Sequence, residues 1–78
     1  MKIFWDGQSK NIIGDKVRAL RTSKGWTQKE VSEKLQLQGF EFSDLTVLRI
    51  EKGDRFVSDY ELKALAHLFE VPYDDLLD

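Results

Sequence analysis

Cysteine is absent from the 78 residues, which excludes disulfide staples and thiolate metal sites. The single histidine, His67, leaves little material for an imidazole-based active site or a zinc cage. Proline occurs once and glycine five times. Gly25, Gly39, Gly53 and Pro72 therefore divide the chain into stretches of helical length. No apolar run approaches the roughly 20 residues of a membrane helix, and no basic–apolar–small signal peptide opens the sequence. Also missing are a glycine-rich phosphate loop, zinc-protease or EF-hand spacing, and a Ser–His–acid set that so small a fold could gather. The expectation is a protein without catalysis, metal, cofactor or evident small-molecule ligand, in a reducing, cytoplasmic compartment.

What is present suits one small domain, because the length leaves no room for a second core. Leu, Ile, Val and Phe supply 24 residues, well above the roughly 20% of a chain below which charged sequences tend to stay disordered. A chain this short buries only about 60% of its unfolded surface, so it must pack efficiently. No repeat, linker or low-complexity tract interrupts it.

From Asn11 to Lys24 the apolar residues Ile13, Val17 and Leu20 fall four and three apart, one stripe of an amphipathic helix that Gly25 can end. Thr27 and Glu30 then form a capping box, with Trp26 and Val31 at staple positions on either side. The second helix carries Val31 and Leu35 inward and runs to Gln38, with Gly39 as its stop. Ser43 can cap a third helix that buries Val47 and Ile50 and ends at Gly53. The stretch Val57-Ser58-Asp59-Tyr60-Glu61-Leu62 repeats box and staple. It launches a fourth helix with Leu62, Leu65, Ala66 and Phe69 on one face, and beyond Pro72 an acidic segment with Leu76 and Leu77 allows a last helical turn. No stretch alternates long enough for a strand. The fold class is all-α, four to five short helices over residues 11–78, preceded by a 1–10 arm that is either ordered or frayed.

A helix ending near Gly25, then TQKEVSEKL, then a short helix ending in RIEKG, then ELKALAHLFEVPYDDLL, resembles the lambda-repressor-like, or XRE-type, helix-turn-helix family. The likeness spans roughly Ile13 to Leu77. It implies that the second and third helices form a DNA-reading unit, with the third (about 43–52) in the major groove. It also implies that Gln28 grips a phosphate at the start of the second helix, and that Arg21 and Glu51 form a partly buried ion pair positioning the third helix. The stretch from Asp54 to Leu62 resembles a subgroup of small bacterial and phage-like regulators. One departure stands out: the segment Gln36–Phe42 is about five residues longer than the family's usual turn. The simplest physical account is an extra turn of the second helix ended by Gly39, with Phe40 and Phe42 packing onto the core; the alternative is a bulge that displays both rings.

On a helical wheel with Val47 and Ile50 inward, Leu45, Leu48, Arg49 and Lys52 face largely outward. Arg49 can fork onto guanine edges or grip a phosphate, and Lys52 near the helix end suits a phosphate. Leu45 can meet a thymine methyl, and Asp44 can accept from a cytosine amino group. Each has a plainer role as well. Asp44 complements the helix dipole, and Leu45 and Leu48 can bury against a partner or the long turn. Ser43 and Thr46 are short donors at the helix start, and capping alone explains Ser43. Arg55 either reaches a phosphate or braces its loop. Lys10, Lys16, Lys24 and Lys29 are solvated charges by default, as are His67 and the acidic Asp74, Asp75 and Asp78.

The net charge is −2, but it is unevenly spread. Residues 1–34 carry eight Lys and Arg against four Asp and Glu, and residues 35–78 carry four against ten. Partner choice follows the local field more than the sum. Two functions fit: a sequence-specific regulator of double-stranded DNA acting as a homodimer, or a protein-interaction module that kept the fold without reading DNA. Ile3-Phe4-Trp5 and Leu76-Leu77 are candidate dimer contacts.

Overall fold

Three reciprocal caps decide where helices begin. In each, a hydroxyl accepts from the backbone N–H three residues on, and the side chain there accepts back from the capping residue's own N–H: Thr27 with Glu30, Ser43 with Thr46, and Ser58 with Glu61. In the second, a threonine hydroxyl does the work usually given to a carboxylate. The computed structural model describes residues 9–77. Its helices are α1 (Gly14–Ser23), α2 (Gln28–Leu37), α3 (Asp44–Lys52), α4 (Asp59–Phe69) and α5 (Tyr73–Leu77). No strand occurs among the described residues.

The first helix starts three residues later than the apolar stripe suggests. Asn11 is the reason: its Oδ1 accepts from the N–H groups of Ile13 (3.2 Å) and Gly14 (2.9 Å), holding residues 11–13 outside the helix while satisfying its first donors. Helices α1 to α4 all end in the same way. A residue in the left-handed region follows the last turn, and two N–H groups bond back to carbonyls three and five residues earlier, as Gly39 to Gln36 and Phe40 to Leu35 do after α2. Three of these left-handed residues are glycine. The fourth is Glu70 (φ 56°), at the end of α4, where a side chain makes the same conformation costly.

The core gathers one face from every helix, with Ile13 just ahead of α1: Val17, then Val31 and Leu35, Val47 and Ile50, Ala64, Leu65 and Phe69, and last Leu76. Leu20 and Leu62, expected inside, are only partly buried against it. Leu76 is fully buried, so it is a core residue rather than a candidate dimer contact; its neighbour Leu77 is exposed. Ile3, Phe4 and Trp5 lie outside the described residues.

Helix α2 ends at Leu37, Gly39 turns the chain just beyond it in the left-handed region, and residues 38–43 lead to α3 with both rings turned to the protein. Phe42 is buried, Phe40 packs partly buried on the core, and the two meet edge to face at 6.3 Å. The Gln36 side-chain amide donates to the Phe42 carbonyl (2.6 Å), tying the turn to the last turn of α2.

Gly14 explains how closely α1 and α3 approach. A methyl group at this position would lie 2.5 Å from the Ile50 carbonyl oxygen and 2.9 Å from that of Glu51. Only glycine admits the backbone of α3 at that distance. The carboxyl-terminal turn of α3 thus rests directly on the first turn of α1.

Candidate functional site

With Val47 and Ile50 buried, α3 presents Asp44, Leu45, Arg49 and Lys52 to solvent; Thr46 and Leu48 are half-buried. Leu48 therefore stands between the face expected to be outward and the core. Along the exposed face, charge runs from acidic at the start to basic at the end, the direction that favours the helix dipole. Asp44 Oδ1 accepts from the N–H of Leu45 (3.0 Å), so this carboxylate already serves the first turn. The Ser43 and Thr46 hydroxyls are occupied by each other's backbone and by their mutual contact at 3.1 Å. Neither Arg49 nor Lys52 has an ion-pair partner among the described residues.

Beneath this face lies a polar clamp. Arg21 on α1 meets Glu51 on α3 in a two-pronged pair, Nε to Oε2 at 2.7 Å and Nη2 to Oε1 at 3.1 Å. Its third contact, Nη1 to the Trp26 carbonyl at 2.8 Å, takes in the turn before α2. Gln28, on the first turn of α2, donates Nε2 to the same Glu51 Oε1 at 3.3 Å. The Glu51 side chain is 4% exposed and that of Arg21 is 14% exposed. The hydrogen bond to Glu51, opposed by burial and helped by the carboxylate's charge, raises the Arg21 pKa above its ordinary value. Three helices thus converge on one carboxylate.

Arg55 is engaged inside the protein. It pairs with Glu61 on α4, Nη1 to Oε1 at 3.0 Å and Nη2 to Oε2 at 2.8 Å, donates to the Phe56 carbonyl at 3.1 Å, and lies 5.3 Å from the Phe42 ring centre. Of the two roles open to it, this geometry is that of a brace. Burial works against ionisation of Glu61. The Arg55 hydrogen bonds, the Ser58 N–H and the Arg55 charge outweigh it, and the carboxyl pKa is lowered.

Two polar features escaped the sequence reading. Asn11 uses both ends of its amide: besides capping α1, its Nδ2 donates to the carbonyls of Ile50 (3.1 Å) and Arg55 (2.8 Å). It therefore joins the start of α1 to the end of α3 and the loop beyond. Two lysines expected to be merely solvated instead cover aromatic rings: Lys24 stands 5.4 Å from the Trp26 ring and Lys10 5.8 Å from that of Phe56, and Lys34 joins Lys24 at 4.6 Å from Trp26. Trp26 in turn stacks on Phe69 at 6.0 Å. Among the described residues no three metal-binding side chains converge, and no helix is long and apolar enough to cross a membrane.

Comparison with known proteins agrees with this arrangement. A family model described as a helix-turn-helix domain matches residues 12–78. Among solved structures, the DNA-binding domain of BldD is similar at 32% identity with a TM-score of 0.75, over 95% of this chain and all of that one. The S. venezulae BldD DNA-binding domain is similar at 33% identity with a TM-score of 0.73, over 92% of this chain and all of the other. No curated protein sequence matches the chain.

Proposed function

The chain belongs to the helix-turn-helix family of DNA-binding domains, and on that premise we propose a cytoplasmic, sequence-specific transcriptional regulator of the lambda-repressor-like, XRE type. In this reading α3 enters the major groove, residues 11–78 form the DNA-binding unit, and two copies act on a two-fold site. The observation that carries it is the exposed, basic-ended face of α3 held from behind by the Arg21–Glu51–Gln28 clamp. Positioning of a reading helix to within a fraction of an ångström is what base recognition demands, and a buried bidentate pair supplies it.

Arg49 is the side chain suited to guanine, through its two-pronged donor face, and Lys52 suits a phosphate. Leu45, 49% exposed, offers an apolar contact for a thymine methyl. Gln28 spends one amide hydrogen on Glu51. Its second remains for a phosphate, beside the N–H groups that open α2. Asp44, Ser43 and Thr46 act first as the cap of α3. Arg55, committed to Glu61, shapes the loop that follows α3 instead of reaching for DNA. No residue is assigned a catalytic role.

Binding to mixed-sequence duplex DNA across a salt series tests the proposal. Affinity falls with salt at a log–log slope of about −0.9 per phosphate neutralised, and Arg49→Ala weakens binding to a selected site more than to bulk duplex. The second reading, a protein-interaction module, draws on exposed Leu45 beside acidic Asp44. Absence of duplex binding even at low salt, together with a stable protein complex, selects it.

A further inference from the structure

A groove of about 490 Å³ runs along α4, and no residue of α3 lines it. Tyr60, Lys63, Ala64 and His67 have the spacing of one helix face, and all four line the groove. Ala64 is 5% exposed, and its single methyl group leaves a depression that a larger side chain would fill. Tyr73, at the start of α5, adds one wall; Gln38 and Phe40, from the connection between α2 and α3, add another. That connection is where the sequence departs from the family's usual turn, so the groove owes a wall to a feature of this chain.

Charge identifies what fits. Residues 35–78 carry ten Asp and Glu against four Lys and Arg, yet no carboxylate lines this groove. Three other grooves each include at least one: Glu41, Asp59, and Asp59 with Glu61. Here the ionisable nitrogen groups are Lys63 and the chain's single histidine, one helical turn apart and both exposed. Neither has an ion-pair partner among the described residues. The rings of Phe40, Tyr60 and Tyr73 supply flat apolar surface beside them, and the two phenols add hydrogen-bond donors. The volume lies within the roughly 300–1,000 Å³ of small-molecule sites. A ligand that matches all of this has a flat apolar body and one carboxylate.

We propose that the groove binds a small aromatic carboxylate, its ring against Phe40, Tyr60 and Tyr73 and its carboxylate at Lys63 and His67. The inference goes beyond the DNA reading and does not depend on it. The lining comes from separate stretches of the chain, which is why no local motif announces a ligand.

Titration of the isotopically labelled 78-residue chain, followed by amide chemical shifts, tests the site without DNA. The probes are indole-3-acetate and 3-phenylpropionate, with indole-3-acetamide as the uncharged counterpart. Both acids shift the amides of Lys63, Ala64, His67 and Tyr73, with dissociation constants of about 1 mM or below. The acetamide binds about fivefold more weakly, the scale of an exposed charge pair. Lys63 is exposed, so Lys63→Glu keeps its thermal midpoint by circular dichroism. It weakens both acids about tenfold, whereas Lys63→Arg binds them as the native chain does.

No shift of these amides by either acid at its highest soluble concentration overturns the proposal. Equal binding of indole-3-acetate and its amide, or undiminished binding by Lys63→Glu, removes the assigned carboxylate contact and overturns it as well. A capped peptide with phenylalanine beside aspartate is titrated in parallel. If it binds at these residues while the free acids do not, the groove serves a protein segment and the proposal fails. None of these outcomes bears on duplex binding, which is measured separately.

Discussion

Two arginine–glutamate pairs with nearly the same bond lengths hold two regions of this domain, and their surroundings make them different devices. Arg21–Glu51 lies under α3 with its carboxylate almost sealed from water; Arg55–Glu61 lies at the edge of the α3–α4 loop with side-chain exposures of 33% and 16%. Removing one partner of a buried pair strands the other without water, whereas an exposed ion leaves a solvated neighbour behind. The region around α3 is thus organised by polar groups that must all be satisfied. The α4–α5 side is organised by apolar stripes and tolerates more.

Glu51→Ala is the largest test of that contrast. It leaves the Arg21 guanidinium and the Gln28 amide without their carboxylate, and a loss of about 3–5 kcal/mol is expected, seen as a sharp fall in the melting temperature. An unchanged midpoint would remove the distinction between the two pairs. Gly14→Ala probes the same region through the backbone. It presses a methyl group onto the Ile50 and Glu51 carbonyls, and a loss of about 1–3 kcal/mol by chemical denaturation is expected from overpacking.

The half-buried pair gives smaller effects with a distinct pH signature. Glu61 has a lowered pKa in the folded protein, so its contribution is present above the ordinary carboxylate range and is lost as pH falls through the depressed folded value. Glu61→Gln should cost about 1 kcal/mol or less at neutral pH. It should also flatten the acid limb of a plot of melting temperature against pH. An equally steep acid limb in the variant would place the acid sensitivity elsewhere. The smallest expected change is a gain. Glu70→Gly relieves the left-handed backbone at the end of α4, and after the greater freedom of glycine in the unfolded chain it should add up to about 1 kcal/mol. A loss would mean that the Glu70 side chain contributes more than its backbone strain takes away.

The same contrast governs what could be read from the sequence. The boxes at Thr27 and Ser58 and the glycine stops were legible because both partners lie within a few residues. The exposed face of α3 followed from two apolar positions and helical geometry. Asn11 was illegible for a physical reason: its amide hydrogens go to carbonyls 39 and 44 residues away, and nothing local announces such partners. Gly14 did leave a signal, a glycine within an apolar stripe next to Ile13, which points to a close backbone contact. Glu70 left none, because the helix stop falls on a residue that normally avoids this conformation. Arg55 was ambiguous since Glu61 could be seen as half of a cap but not also as an ion-pair partner; its Oε1 accepts from both the Ser58 N–H and Arg55.

The two ties on the α2–α3 unit have a thermodynamic consequence. Glu51 fastens α3 to the start of α2, and the Gln36 amide fastens the end of α2 to the chain just ahead of α3. Fixed at both ends, the pair has little internal freedom left to lose when it meets a duplex. Calorimetry of binding should therefore show little of the large unfavourable entropy that accompanies folding on contact. Adjustment to a curved site then falls to the DNA.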